Sequence, residues 1–293
     1  MAHSKVPCVA LLAALAASGW SNAAGAAPRL QSDIEYAGTA GTALRLDLYQ
    51  PEGSTAAPLL VWVHGGAWEN GSKSAMPLTA LVERGYAIAS LDFRPASKAP
   101  FPGQVHDIKA AIRFLRAEAK RYGYDATRIG ILGASSGGHL AAVVGTGNGD
   151  AELEGTLGEH GGESSDVQAI VSYFGAANLT TILAQSTPFG LGVREPALMR
   201  LLGALPKNNE AIARKASPVF QVDPSDPPLL LLHGDQDPQM PINQSHELEG
   251  AYERQGLEAG LVVVHGAVHG GDAFYAPHNI ERVAAFLDEH LRR

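Results

Sequence analysis

Four short stretches carry residue types that together could break an acyl bond. In the first, the apolar run Arg128 to Leu132 leads into Gly133-Ala134-Ser135-Ser136-Gly137 and then into a series of small residues. This is the G-x-S-x-G pattern in the strand-turn-helix context that gives it meaning, with Ser135 as the candidate nucleophile. Five residues of this kind recur by chance in a glycine-rich chain, so the flanking elements decide the reading. Gly133, Gly137 and Gly138 leave the room that a sharp turn needs, and the start of the following helix points at the hydroxyl.

The second stretch is His64-Gly65-Gly66-Ala67-Trp68, which follows the apolar run Leu59 to Val63. Acyl transfer develops negative charge on the former carbonyl oxygen, and two or three fixed N–H donors stabilise it. The amides of Gly66, Ala67 and Ser136 are the expected donors, Ser136 being the residue after the nucleophile. His64 reads as a loop organiser bonded to backbone.

The third stretch, His233-Gly234-Asp235-Gln236-Asp237-Pro238, follows Leu229 to Leu232 and offers two carboxylates. Asp237 is favoured as the partner of a catalytic histidine, since the later acid has room to reach across, while Asp235 ties the turn. The fourth, after Leu261 to Val264, offers His265 and His269. His269 is favoured because it sits on a glycine-rich loop that can project its ring across the sheet edge. The other histidines, His139 and His233 among them, have ordinary packing explanations. No H-E-x-x-H or comparable spacing supports a metal, and the chemistry needs no cofactor.

Composition sets the frame for these pieces. The chain has 293 residues, 45% hydrophobic and 18% charged, with 33 Gly and 18 Pro, which excludes a disordered, collagenous or coiled-coil protein. Twenty-two Lys plus Arg against 30 Asp plus Glu leave a net charge of −8, which argues against a nucleic-acid partner. The single cysteine, Cys8, permits no intrachain disulfide.

The elements that must position the four stretches are short apolar runs alternating with longer periodic segments, the pattern of a mostly parallel sheet of about eight strands with helices on both faces. Leu44 to Tyr49 alternates like an antiparallel strand near a sheet edge, with Arg45 and Asp47 outward. Leu59–Val63, Ala87–Ser90, Arg128–Leu132, Gln168–Tyr173, Leu229–Leu232 and Leu261–Val264 suit strands buried on both faces. Helices are expected over Val105–Tyr122, with Lys109, Arg113, Arg116 and Lys120 mostly off its apolar face, and over Ser245–Gln255 and His278–Leu291. Gly145–Gly162 and Thr187–Pro218 read as cap or pocket-wall material within an insertion of about residues 145–225.

At the N-terminus, Lys5 precedes the apolar stretch Val9 to Ala17 and small residues ending at Ala26, the layout of a secretory signal over residues 1–26. The stretch is too short for a membrane span of ~20 residues. The expected mature chain, residues 27–293, is one domain, secreted or periplasmic, without a stable membrane anchor.

With these pieces in place, the sequence resembles the α/β-hydrolase superfamily, and more narrowly the secreted esterase/lipase group related to hormone-sensitive lipase and to bacterial feruloyl and acetyl-xylan esterases. The chain order Ser135, Asp237, His269 is that superfamily's order. Leu91-Asp92-Phe93-Arg94 with Phe101-Pro102 and Asp107 looks like the D-Y-R…F-P…D stretch of the group, and Tyr173-Phe174-Gly175 and Ala216-Ser217-Pro218 resemble its pocket-side segments. Ala67 and Ser136 depart from the glycine and alanine frequent there. The resemblance implies two-step acyl transfer through Ser135 on a small or plant-derived, polysaccharide-linked ester. Its alternatives are an amide hydrolase of the kynurenine formamidase type and a catalytically silent binding homologue.

Overall fold

A computed structural model of the chain describes residues 28–39, 41–54 and 56–292. Residues 1–26, where the sequence leads one to expect an export signal and which include Cys8, lie outside the described residues. Eight strands form one sheet: β1 (Arg29–Thr39), β2 (Thr42–Gln50), β3 (Ala57–Val63), β4 (Ala87–Leu91), β5 (Tyr124–Ala134), β6 (Ala169–Tyr173), β7 (Leu229–Gly234) and β8 (Ala259–Val264). Their order is β1-β2-β4-β3-β5-β6-β7-β8. β2 runs antiparallel to both β1 and β4, and every other neighbour pair is parallel. A parallel sheet needs cover on both faces, which is why the central strands read as unbroken apolar runs.

Side chains alternate across the sheet and so divide the core into two layers. Along β3, Leu59, Val61 and Val63 join a layer with Ile108 and Ile112 of helix Gly103–Ala117, Leu140 of helix Ser136–Thr146 and Leu248 of helix Asn243–Arg254. Leu60 and Trp62 point the other way, into a layer with Val283 and Leu287 of the C-terminal helix Pro277–Leu291. β5 sits between β3 and β6, so the turn that follows it emerges at the middle of the sheet.

Several elements differ from their sequence reading. β1 has no counterpart in the sequence pattern: its residues are mostly exposed, and register shifts after Gln31 and Glu35 break the alternation that would announce a strand. β8 is an edge strand whose residues are mostly half-buried, so its apolar run reflects one covered face. Asp47, expected outward, is buried beneath Lys73, whose Nζ lies 2.7 Å from Asp47 Oδ1. The long helix breaks at Glu118 into Gly103–Ala117 and Ala119–Tyr122.

The largest departure concerns that helix's polar face. Lys109 and Arg113 are buried, because the segment after Thr146 folds over them. Glu154 supplies the counter-charge: its carboxylate pairs with Arg113, and Oε2 lies 3.2 Å from Lys109 Nζ. Ser165 Oγ accepts from Lys109 Nζ at 3.0 Å, and the Leu157 carbonyl accepts from Arg113 Nη2 at 2.7 Å. Removing one partner of a buried ion cluster strands the others. Glu154→Gln should therefore lower unfolding stability by roughly 3 kcal/mol, measured by urea denaturation, whereas a change below about 0.5 kcal/mol would show the two cations to be satisfied without it.

Candidate active site

Each of the four stretches leaves the sheet at the C-terminal end of a parallel strand: β3 for His64–Trp68, β5 for Ser135, β7 for Asp237 and β8 for His269. Neighbouring parallel strands deliver their following loops to one edge, which is where open α/β sheets form crevices.

Ser135 occupies φ 55°, ψ −120°, a conformation rare for a residue with a side chain. Its amide donates to the Tyr173 carbonyl at 2.9 Å, fixing the turn to the end of β6. The helix beginning at Ser136 then passes hard against β3: a Cβ on Gly137 would lie 2.1 Å from the Val63 carbonyl oxygen. Only a residue without Cβ permits that approach.

Ser135 Oγ and His269 Nε2 are 2.8 Å apart. On the other side of the ring, His269 Nδ1 lies 2.6 Å from Asp237 Oδ2. The Asp237 carboxylate fixes Nδ1 as the N–H, leaving Nε2 to accept from the serine hydroxyl. The Asp237 side chain is fully buried, and its Oδ1 accepts from the amides of Gln239 and Met240, both at 2.8 Å. His233, also fully buried, accepts from Ser245 Oγ through Nδ1 at 2.7 Å and donates from Nε2 to the Met240 carbonyl at 3.0 Å, with Asp237 Oδ2 3.5 Å away. Burial pushes the Asp237 carboxyl up, but His233, His269 and the Met240 amide outweigh it and hold the group well below the usual carboxylate range.

Phe174 packs edge-on against the His269 ring at 5.0 Å. The competing pair takes a separate place. Asp235 Oδ2 lies 2.8 Å from His265 Nδ1 and Oδ1 accepts from the Gly266 amide at 2.7 Å, so Asp235 braces the exposed start of the histidine loop.

The glycine loop after β3 bends through three successive positive φ values: 127° at Gly66, 55° at Ala67 and 60° at Trp68. The Gly66 carbonyl accepts from the Glu69 and Asn70 amides at 3.1 and 2.9 Å. His64 bonds the Gly65 carbonyl through Nδ1 at 2.7 Å and stacks on Phe93. Gly66 and Ala67 line one pocket of about 330 Å³ together with Ser135, Phe174, Arg194 and His269. Ser136 heads the elbow helix, where first-turn amides have no partner inside the helix. A larger hollow of about 610 Å³, lined by Tyr36, Phe114 and His160, contains none of these groups. Of the segments expected to wall the pocket, helix Pro188–Leu202 contributes Val193 and Arg194, while Gly145–Gly162 packs on helix Gly103–Ala117 instead.

Two pairs of residues to which the sequence reading gives no site role brace these loops. The fully buried Trp68 donates its indole N–H to His139 Nδ1 at 3.0 Å, and His139 Nε2 donates to the Ala216 carbonyl at 2.7 Å. His139 thus joins the glycine loop, the elbow helix and the Ala216–Pro218 segment. Its position four residues after Ser135, one helical turn along, was a usable signal. Arg94 and Asp107 form the other brace, with Arg94 Nε 2.9 Å from both carboxylate oxygens and the Arg94 amide 2.9 Å from Oδ2.

Residues 46–252 match the BD-FAE family model. The chain belongs to the BD-FAE family. The matched residues include Ser135 and Asp237 and end before His269, which the hydrogen bonds above bring to the same place. The chain is 34% identical to esterase LipQ of Mycobacterium tuberculosis over 236 residues, 77% of this chain and 53% of that protein. It is 31% identical to esterase LipC of the same organism over 224 residues, 74% of this chain and 53% of the relative. It spans about half the length of the curated relatives it matches. Among solved structures, a truncated form of carbohydrate esterase from gut microbiota superposes with a TM-score of 0.82 at 30% identity, covering 90% of this chain and 97% of the other. This BD-FAE member has the α/β-hydrolase fold, with the strand order given above.

Burial pushes His139 down to about 4, against the stabilising bond to the Ala216 carbonyl. An unfolded chain takes up that proton near the ordinary histidine value of ~6.5, so the native state loses stability as pH falls from there toward 4. The acid-side fall in Tm should be shallower in His139→Gln, whose amide can still reach both partners, than in the wild type. Parallel Tm–pH curves would refute the assignment of that proton to His139.

Proposed function

We propose that this chain is a serine carboxylic ester hydrolase with Ser135 as nucleophile, His269 as general base and acid, and Asp237 as the carboxylate that orients the imidazole. The observation that carries the reading is the continuous hydrogen-bonded line Ser135–His269–Asp237, opening onto the pocket that Gly66 and Ala67 line. In the first step His269 Nε2 takes the hydroxyl proton as Oγ attacks the ester carbonyl. The amides of Gly66, Ala67 and Ser136 receive the oxyanion. Collapse expels the alcohol, protonated by His269, and water then cleaves the acyl-enzyme by the same sequence. Asp237, kept ionised by its buried donors, stabilises the imidazolium in both steps.

Similarity to the gut-microbiota carbohydrate esterase supports acyl groups carried on a carbohydrate as the substrate class, and a pocket of about 330 Å³ accommodates a small acyl group. Lys5, the apolar stretch Val9–Ala17 and the small residues up to Ala26 support export, for which the start of the exported chain near residues 24–27 is the check.

Ser135→Ala should lower kcat on p-nitrophenyl acetate by roughly 10⁴–10⁶-fold with an unchanged Tm, and Asp237→Asn by about 10⁴-fold through the wrong tautomer. Unchanged turnover in Ser135→Ala would reject the assignment. A wild type silent on acetyl, butyryl and feruloyl esters and on acetylated xylan would identify a binding homologue instead.

A further inference from the structure

Arg194 is the arginine among the residues lining the pocket that holds Ser135 and His269. It is 1% exposed, its Nε and Nη1 have no hydrogen-bond partner, and it forms no ion pair among the described residues. Other buried cations of this molecule are matched, as Lys109 and Arg113 are by Glu154. Withdrawing an ionised group from water without a partner is strongly unfavourable. Burial accordingly pulls the guanidinium's proton affinity down, and the Asp237 carboxylate only partly opposes this.

The surrounding structure nevertheless holds Arg194 in place. Helix Pro188–Leu202 is capped by Thr187, whose Oγ1 accepts from the Gly190 amide at 3.0 Å and donates to the Pro238 carbonyl at 2.7 Å. That second bond clamps the helix to the loop bearing Asp237. The helix lies so close there that a Cβ on Gly190 would come within 3.0 Å of the same carbonyl oxygen. Arg194 is therefore carried by an element registered against the proposed catalytic carboxylate, and the residue lines the pocket the substrate must enter.

A guanidinium has only donors, always charged, in a planar fork whose geometry matches a carboxylate. A neutral hydroxyl would satisfy one N–H and leave the charge uncompensated, whereas a carboxylate supplies both acceptors and counter-charge. We propose that Arg194 binds a free carboxylate carried by the substrate. The preferred esters are then those with an anionic group near the scissile bond, either hemiesters of dicarboxylic acids or acylated hydroxy acids of the uronate kind. This deepens the ester-hydrolase reading and rests on it for turnover, but not for binding.

Two substrate pairs separate the acyl-side and alcohol-side sources of the carboxylate. The first is p-nitrophenyl hemiglutarate against p-nitrophenyl valerate, and the second is m-acetoxybenzoate against its methyl ester. In the wild type kcat/KM should favour the anionic member of one pair by at least about tenfold, and in Arg194→Gln that ratio should fall by a similar factor. Arg194→Lys, which keeps charge without the fork and covers the case in which the glutamine variant does not fold, should fall between them. A residue that merely supported Asp237 would lower both members of a pair together and leave the ratio unchanged, and that result overturns the proposal. Calorimetry of glutarate and m-hydroxybenzoate with Ser135→Ala protein provides a readout independent of turnover, and binding should be lost in Ser135→Ala/Arg194→Gln. Anion binding without hydrolysis of any ester would sink the hydrolase reading and leave Arg194 as an anion site. Hydrolysis of the neutral esters with neither anion preference nor binding would sink the Arg194 inference alone.

Discussion

The turn at Ser135 governs where everything else must lie. A side chain held at φ 55° is strained, and such a turn persists only when its surroundings leave no alternative. Here they leave none: the Ser135 amide is taken by the end of β6, and Gly137 is wedged against the end of β3. Because the hydroxyl is fixed at the middle of the sheet edge, the glycine loop, the acid loop and the histidine loop can meet it only by leaving strands on either side. The order β3-β5-β6-β7-β8 provides that arrangement.

Buried polar contacts then fix the shape of loops that apolar packing leaves adjustable. Satisfied networks of this sort specify one arrangement, since any other strands a donor. The line from Trp68 through His139 to Ala216 holds the glycine loop in its left-handed course, and the Trp68 carbonyl is taken in turn by the Ala96 amide at 2.8 Å. The acid loop is held similarly by the Gln239 and Met240 amides, with His233 beneath it. Arg194, by contrast, is a buried cation in the pocket lining whose Nε and Nη1 have no partner, a match that a ligand in that pocket would supply.

Much of this molecule was legible along the chain. Six of the strands announce themselves as apolar runs between turn residues and a seventh, β2, as an alternation, because strands covered on one or both faces must be apolar wherever they are covered. The pairing of glycines with Ser135, Gly66 and Ala67 was legible for a related reason: a tight turn tolerates so few residue types that its composition identifies it. β1 left no such trace, since its exposed residues and broken register demand no particular composition.

By itself, then, the sequence determined seven of the eight strands, the turns that follow the central ones and a short list of groups able to meet there, all consequences of local periodicity and turn chemistry. Tertiary structure alone decided which groups meet. Asp235 and Asp237 are two residues apart, and so their difference lies in where the β7–β8 neighbourhood turns each side chain: one to His265 at the surface, the other to His269 beside Ser135. Lys109 and Arg113 had the spacing of a solvated face, and became buried only because Glu154, more than 40 residues away in the chain, folds over them. Contacts between such distant residues depend on the path of the intervening chain, which no local pattern of residue types encodes.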